Sequence, residues 1–317
     1  HCVEIFHQII PAKLEDLGTV LTIGAYDGVH RGHRSVIHEV CRLAKERDLR
    51  SAVVTFDRHP ASVVRPESAP LLLTELDQKI EQLSTTGIDL TLVVPFDESR
   101  AAESAEDFIE NVLVQCLKVK HVVVGEDFHF GRHRLGNVDL LRTVGEEKGF
   151  TVTGMGLVGL EGKPARDHEQ VSSTFIRQAL GEGNLGRANN MLGRDYEVLG
   201  VVTAGDGRGK ELGFPTANVR INSSVLLPAD GVYAGWIELA DGSIHGTAIS
   251  LGTRPHFYTD GNLLLEAHVL DFDENLYEEE VRVRFVEHLR PQKKFDDLPS
   301  LINQLKLDVQ KTKELLH

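Results

Sequence analysis

Two histidines, His30 and His33, stand three residues apart in the glycine-rich stretch GAYDGVHRGHR (24–34), directly after an apolar run. Gly28 and Gly32 allow the backbone to turn sharply and to approach a ligand. A helix that begins here would offer unpaired N–H groups and the positive end of its dipole, both of which attract an anion. Imidazole donors beside that point would bind phosphate oxygens as negative charge develops. The stretch alone also fits a solvated turn, or a zinc site without a recognisable third ligand.

A second glycine-rich stretch, GDGRGKELGFPTANV (205–219), lies in the other half of the chain. Thr216 and Asn218 offer oxygen ligands two residues apart, so an extended strand would place them on one face. Such ligands suit Mg²⁺, which takes few protein ligands and keeps several waters. Glu266 stands in an otherwise apolar strand pattern, where a carboxylate is costly unless it is paired or in use. A flexible loop and an outward-facing glutamate remain the alternatives.

The elements that position the first stretch alternate between strands and helices up to about residue 190. Four apolar, β-branched runs are predicted strands: TVLTIG (19–24), SAVVTF (51–56), LTLVVPF (90–96) and HVVVGE (121–126). Helical spacing follows them, from His33 onward and in segments around Leu76 and Phe108. This alternation indicates βαβ units around a parallel sheet, and hence an α/β domain over residues 1–190.

The second half has a different rhythm. After about residue 196, strand patterns are separated by turn signals such as Asp241-Gly242 and Asp260-Gly261. The patterns are YEVLGVVT, GVYAGWIEL, IHGTAISLG, LLLEAHVLDF and EVRVRFVE. Short strands at regular spacing predict an antiparallel β-barrel over residues 191–317. A terminal helix closes the chain, with Pro299 in its first turn, where proline is tolerated.

Composition limits the function classes. Lys and Arg number 34 against 48 Asp and Glu, a net charge of −14, which argues against a broad basic surface for nucleic acid. No apolar run approaches the roughly 18 residues that cross a bilayer, and the first residues lack the features of a signal peptide. Cys2, Cys41 and Cys116 form no C-x-x-C pair, which suits a reducing compartment. We expect a cytoplasmic protein with small-molecule substrates and neither nucleic-acid nor membrane partners; monomer and homo-oligomer both remain open.

The stretch around the histidines resembles the adenylyl-transferring signature of the HxGH nucleotidyltransferases, and in its longer form the bacterial FAD synthetases. FDRHP (56–60), VVVGEDFHFGRHRLGN (122–137) and VSSTFIRQAL (171–180) resemble further stretches of that family, in the same order. The resemblance implies a Rossmann-like domain in which the FMN phosphate attacks the α-phosphorus of ATP, giving FAD and pyrophosphate. It also implies that His30 and His33 hold the ATP phosphates and that Arg177 clamps the pyrophosphate.

Other residues of these motifs are implied to bind nucleotide or flavin: Gly24, Asp27, Gly28, Gly32, Gly125, Asp127, Phe128, Ser172, Ser173 and Thr174. The serines and the threonine would cap the helix that carries Arg177. Asp27 either helps to hold Mg²⁺ or orients its loop. Phe128 and Phe130 either flank the isoalloxazine ring or belong to the core.

The second glycine-rich stretch resembles riboflavin kinase, and so do LLPADGVYAG, SLGTRPHF, LEAHVLDFDENLY and HLRPQKKFDDL. The resemblance implies that the ribityl 5′-hydroxyl attacks the γ-phosphorus of ATP, with Glu266 as general base and Thr216 and Asn218 at Mg²⁺. The implied phosphate cradle comprises Gly207, Gly209 and backbone N–H groups, with Arg208 and Lys210 nearby. Pro215 is a further residue implied to bind the co-substrate. The chain departs from the family pattern at Tyr26, Ser250, His256 and Glu278.

Together the motifs predict a bifunctional riboflavin kinase and FMN adenylyltransferase that uses ATP and Mg²⁺, with riboflavin, FMN and FAD as substrates and products. Two alternatives are that one half alone is active, and that the chain is a flavin-binding regulator. Two other glycine patterns are rejected. In GMGLVG (154–159), Gly162 and Pro164 follow where a helix would begin, and in AGDGRGKE (204–211) Ala204 and Glu211 break the phosphate-loop pattern.

Overall fold

A computed structural model describes residues 4–7, 17–156, 171–205, 207–252 and 264–317. The chain divides into two compact units, His1–Ser173 and Thr174–His317. Several features named above lie outside the described residues: Cys2, the last three residues of GMGLVG with Gly162 and Pro164, His256, the Asp260-Gly261 turn, and the side chain of Arg208. Within the described parts, none of the helices combines the length and the apolar character needed to cross a membrane.

The first unit is built on a six-stranded sheet in the spatial order β1-β4-β3-β2-β5-β6, with every pair parallel. The strands are β1 (Glu4–Phe6), β2 (Thr19–Ile23), β3 (Arg50–Phe56), β4 (Leu90–Val94), β5 (Val119–Gly125) and β6 (Thr151–Met155). The predicted parallel α/β fold is thereby confirmed. Two edge strands, β1 and β6, were not predicted: β1 is three residues long, and β6 lacks a continuous apolar run.

Helices cover both faces of this sheet. They are α1 (Arg31–Glu46), α2 (Ala61–Val64), α3 (Leu76–Ser84), α4 (Glu98–Ala101), α5 (Ala105–Phe108), which continues as a π-helix (Ile109–Cys116), a 3-10 turn (Arg132–Arg134) and α6 (Val138–Lys148). On one face Val20 and Val53 pack with Ile37 and Val40 of α1. On the other face the alternate strand residues pack against the π-helix. Strands buried on both faces explain the nearly continuous apolar runs.

The second unit contains α7 (Ser173–Gly181) from Thr174 onward, α8 (Leu185–Leu192) and a closed antiparallel barrel with the strand order β10-β11-β8-β7-β12-β9. The strands are β7 (Tyr196–Thr203), β8 (Ala217–Ile221), β9 (Gly231–Glu238), β10 (Ile244–Gly252), β11 (Leu264–Val269) and β12 (Glu280–Arg290). Two helices complete the unit: the short α9 (Arg208–Glu211) and the terminal α10 (Leu298–Leu315). The predicted barrel and terminal helix are therefore confirmed.

Candidate active sites

The loop that follows β2 has a strained backbone. Tyr26 and Val29 have φ values of 50° and 42°, a left-handed conformation that is unfavourable for a β-branched residue such as Val29. Asp27 holds the loop in place: its carboxylate, only 6% exposed, accepts hydrogen bonds from the backbone N–H groups of Leu73 and Thr74 at 3.0–3.1 Å. Such strain persists where the surroundings over-determine it, which is common at functional sites.

His30 and His33 cap the helix that follows this loop. His30 is the N-cap of α1, so the helix begins at Arg31, two residues earlier than predicted. The His33 N–H donates to His30 Nδ1 at 3.2 Å, and the His30 N–H donates to His33 Nδ1 at 3.3 Å. The two rings stack with centroids 3.5 Å apart. A Cβ at Gly32 would lie 3.0 Å from the His30 ring and 3.3 Å from the Val171 carbonyl oxygen, so a side chain there would press against the cap.

This reciprocal cap fixes the tautomer of both imidazoles. A nitrogen that accepts a hydrogen bond carries no proton, so each neutral ring holds its proton on Nε2. Protonation of either Nδ1 would set two donors against each other and break the cap. The pair therefore presents two Nε2–H donors at a helix N-terminus, where the backbone dipole already favours an anion.

Both histidines line a cavity of about 920 Å³ in the first unit. This volume is in the range of ligand pockets. The cavity brings together most of the predicted residues of this unit: Gly24, Asp27, His30, Gly32, His33, Gly125, Asp127, Phe128, Ser172 and Ser173. Gly28 instead helps to hold the loop in place, because its N–H donates to Thr74 Oγ1 at 3.0 Å. The Ser173 hydroxyl donates to the Asp27 carbonyl at 2.9 Å, which joins the motif at 171–180 to the loop.

Aromatic rings form another part of the cavity wall. Phe128 and Phe130 stack with centroids 5.3 Å apart and an angle of 9° between their planes. Phe130 is buried and packs in the core, whereas Phe128 is only partly buried. The basic turn Arg132–Arg134, which belongs to the stretch 122–137 but was assigned no role there, also lines the cavity, and His133 within it has a φ of 55°. Its signal in the sequence was the RHR triplet of that stretch.

Thr174 and Arg177 lie on α7 in the second compact unit. The helix begins at Ser173, so Ser172 directly precedes it and Ser173 and Thr174 are its first two residues. The capping role of these three residues stays a prediction. The contact of Arg177 with pyrophosphate stays a prediction.

In the barrel, Asn218 on β8 and Glu266 on β11 are direct cross-strand partners, and Ser250 on β10 is the next partner of Glu266. Directly paired residues point to the same face of a sheet. Asn218 is 8% exposed, whereas Glu266 is partly exposed and Thr216 exposed. The structure therefore brings a carboxylate and an amide together, and Thr216 stands two residues before Asn218, just ahead of β8.

The glycine-rich loop closes over this face. A Cβ at Gly205 would lie 2.9 Å from the Asn218 Cγ and overlap its amide nitrogen, so the loop approaches too closely for any side chain. Gly207 turns the chain with a φ of 73° before α9, which contains Gly209 and Lys210. The Lys210 side chain is exposed.

His268, on β11, has a supporting role that no sequence pattern indicated. His268 Nδ1 lies 2.8 Å from the Pro215 carbonyl oxygen, and because a carbonyl only accepts, the ring carries its proton on Nδ1. The ring also contacts Phe214 edge-on, with centroids 5.7 Å apart. His268 thus holds the backbone immediately before Thr216.

Two departures from the family pattern have defined surroundings. Ser250 Oγ accepts a hydrogen bond from the Gln292 amide at 2.8 Å. Glu278, where glycine is usual, has a φ of 65°, a conformation that glycine adopts without strain.

Comparison with known proteins adds to this geometry. Residues 12–175 match the FAD synthetase family and residues 192–316 match the riboflavin kinase family. The bifunctional riboflavin kinase/FMN adenylyltransferase of Listeria monocytogenes is 36% identical over 310 residues, which cover 98% of this chain and 96% of that protein. The protein of the same description from Haemophilus influenzae is 37% identical over 297 residues, covering 93% and 94%. A crystal structure described as a macrolide-efflux protein from Streptococcus pneumoniae aligns over 98% of this chain and 99% of its own, with a TM-score of 0.85 and 26% identity.

The fold and the matches define a two-part transferase, with a nucleotidyltransferase sheet followed by a kinase barrel. The chain belongs to the family of bifunctional riboflavin kinase/FMN adenylyltransferases.

Proposed function

We propose that this chain makes FMN from riboflavin and ATP in its barrel, and FAD from FMN and ATP in the cavity of the first unit. Residues 191–317 would carry the kinase and residues 1–190 the adenylyltransferase. The observation that carries the proposal is the reciprocal His30–His33 cap on the wall of a cavity of about 920 Å³. It supplies two oriented donors at a place where the helix dipole also attracts phosphate.

In the adenylyl transfer, an oxygen of the FMN phosphate attacks the α-phosphorus of ATP. The bond from that phosphorus to the bridging oxygen breaks, and pyrophosphate leaves. No protein nucleophile is needed, so orientation and charge stabilisation account for the catalysis. The Nε2–H groups of His30 and His33 would donate to phosphate oxygens, and Arg177 would bind the departing pyrophosphate. Phe128 would contact the flavin ring.

The binding roles of the smaller residues follow from their places in the cavity. Gly24, Gly32 and Gly125 line it without side chains, so the backbone can approach the nucleotide there. Ser172 and Ser173 would position the helix of Thr174 and Arg177. For Asp27 the geometry favours a positioning role over metal binding, because its carboxylate already accepts backbone hydrogen bonds.

In the kinase reaction, the ribityl 5′-hydroxyl attacks the γ-phosphorus of ATP while Glu266 takes the hydroxyl proton, and ADP leaves. Gly207 and Gly209, with the neighbouring Arg208 and Lys210, would form the phosphate-binding loop, and Pro215 would contact the bound co-substrate. The cross-strand pairing of Asn218 with Glu266 supports a shared site, because the proposed base and a proposed metal ligand are neighbours on one face of the sheet.

Mg²⁺ would be held by Thr216 and Asn218. The donor set fits this ion, because a hydroxyl and an amide oxygen are hard ligands. Gly205, which has no side chain, also allows the glycine-rich loop to lie close to Asn218. When bound, Mg²⁺ would neutralise charge on the ATP phosphates.

We place the protein in the cytoplasm and expect small molecules as its partners. Cys41 and the buried Cys116 form no disulfide in the part of the chain that the structure describes, which suits a reducing compartment.

The test measures both reactions on one protein, by chromatography of flavins after incubation with riboflavin and MgATP, or with FMN and MgATP. In the adenylyltransferase arm we choose His33→Gln, because a glutamine three residues into a helix accepts the N-cap N–H but lacks the ring donor. We expect FAD formation to fall by about 10²- to 10³-fold, the effect of losing one such donor. The free energy of unfolding should stay within about 0.5 kcal/mol of the wild type.

In the kinase arm, Glu266→Gln should lower FMN formation by about 10²- to 10⁴-fold and spare FAD formation from supplied FMN. Glu280→Gln, an exposed glutamate of the same barrel, is the matched control. Arg177→Ala should lower only FAD formation, with the exposed Arg42→Ala as control. If the wild-type protein accumulates FMN without FAD, or makes FAD only from supplied FMN, then one half of the chain alone is catalytically active. Flavin binding without ATP consumption would indicate a regulator.

A further inference from the structure

Lys79 on α3 is a buried lysine with a full set of hydrogen bonds. Only 7% of the Lys79 surface is exposed to solvent. The ammonium donates to the Phe56 carbonyl at 2.7 Å, to the Ala25 carbonyl at 3.1 Å and to Thr55 Oγ1 at 3.1 Å. These three bonds match the three donors of a charged lysine. All three acceptors are uncharged, and lysine is among the residues least often buried in this way.

The three acceptors belong to the ends of two neighbouring parallel strands. Ala25 lies in the loop that leaves β2 for His30, and Phe56 is the last residue of β3. Thr55 Oγ1 itself donates to the Ala25 carbonyl at 3.1 Å, which strengthens the same junction. Ala25 and Phe56 both line the cavity of the first unit, so the Lys79 ammonium lies directly behind its wall.

We propose that Lys79 is a positioning residue for adenylyl transfer: its ammonium fixes the loop that leads to His30 against the end of β3, and its charge lies behind the phosphate site. The inference rests on the proposed adenylyltransferase function. An apolar side chain would avoid the cost of a buried charge but would remove the donor that the Ala25 and Phe56 carbonyls share. A lysine at this junction supplies that donor and also places a positive charge behind the wall that His30 and His33 line, where it would favour a bound anion.

The charge of Lys79 changes near neutral pH. Burial lowers the pKa of Lys79 to about 8, against the opposing effect of the carboxylates of Asp27, on the same loop, and Asp57, after β3. Above this pH the amine keeps two donors for three acceptors and loses its charge. We therefore expect adenylyl transfer in the first unit to weaken above this pH.

The test compares Lys79→Met and Lys79→Arg with the wild type in the full chain. FAD formation from FMN is followed as kcat and KM for ATP between about pH 6.5 and pH 9.5, since kcat/KM reports groups of the free enzyme. FMN formation by the barrel serves as the internal control. Lys148→Met, which removes an exposed lysine of the same unit, controls for net charge.

We expect the wild-type kcat/KM for ATP to decline above about pH 8, by up to tenfold per pH unit. Lys79→Met should lower this constant about 10- to 100-fold at pH 7 and abolish the decline, while FMN formation is unchanged. Lys79→Arg should keep activity at the high pH, because guanidinium stays charged. If Lys79 had only a structural role, Lys79→Met would lower the free energy of unfolding, but the pH profile of kcat/KM for the folded protein would stay as in the wild type.

Three results would overturn the inference: a wild-type profile flat through pH 9, the same decline in Lys79→Met, or parallel loss of both activities. The wild-type profile needs no variant, so the test holds even where a variant misfolds. Wild-type protein that makes no FAD at any pH would instead refute the proposed function, and this inference with it.

Discussion

Gly205→Ala is a perturbation whose effect follows from one close approach. The added Cβ would lie 2.9 Å from the Asn218 Cγ and overlap the amide nitrogen, whereas ordinary contacts begin at about 3.4 Å. The amide must therefore move by more than half an ångström. A displacement of about 1 Å at a catalytic group costs up to 10²-fold in rate, or about 2.7 kcal/mol of transition-state free energy.

We therefore expect FMN formation by Gly205→Ala to fall by 10- to 100-fold, with an apparent Mg²⁺ affinity that falls in parallel. The obstacle is the end of a side chain and not the backbone, so the free energy of unfolding should change by less than about 1 kcal/mol. Gly186→Ala is the matched control, because its Cβ would meet no atom within 4 Å. FAD formation from supplied FMN should be unaffected. Full kinase activity in Gly205→Ala would refute the place of Asn218 in the metal site.

Two further predictions concern stability. Burial lowers the pKa of His121, whose ring nitrogens lie 2.6 Å and 2.7 Å from the hydroxyls of Thr151 and Thr153. The unfolded chain then binds more protons, so stability is present above about pH 6.5 and is lost as the pH falls through the lowered pKa. Urea unfolding at pH 5.5 and pH 7.5 should show a smaller difference in His121→Leu than in the wild type, and an equal difference would contradict this. Asp308, 5% exposed, binds Arg290 through two nitrogens at 2.8–3.0 Å, so Asp308→Ala should cost about 3–5 kcal/mol in denaturant unfolding; a change below 1 kcal/mol would contradict a buried pair.

The sequence was sufficient to predict those helices and strands in which apolar residues recur at a regular spacing or form a continuous run. Continuous apolar runs indicated the four central strands, and the loss of helical spacing after residue 196 indicated the barrel. Short edge strands such as β1 (Glu4–Phe6) carry too few residues for any period to be visible. The helix start at Arg31 was misplaced by two residues because a histidine is an unusual N-cap, and capping preferences favour serine, threonine, asparagine or aspartate.

The residues that support the sites were harder to find than the residues that line them. His30, His33 and Glu266 stand in local patterns that can be read in sequence. Lys79 and His268 contact backbone carbonyls 54 and 53 residues away, at Ala25 and Pro215, so no local spacing marks them. In the sequence, a lysine in an amphipathic helix or a histidine in a strand cannot be distinguished from an ordinary surface residue. Only the tertiary contact reveals its role.

The two proposed sites hold their polar side chains in place by different physical means. We therefore expect the two units to differ in how well they tolerate substitutions at these side chains. In the first unit, the imidazoles that face the cavity also satisfy the first N–H groups of α1, so a change at His30 alters the helix end and the donor together. In the barrel, strand pairing sets Asn218 opposite Glu266, and that register depends on backbone hydrogen bonds and not on either side chain. Conservative changes in the barrel should therefore remove activity without structural loss. At the histidine pair, a substitution that keeps the cap, such as His33→Gln, is needed to separate binding from folding.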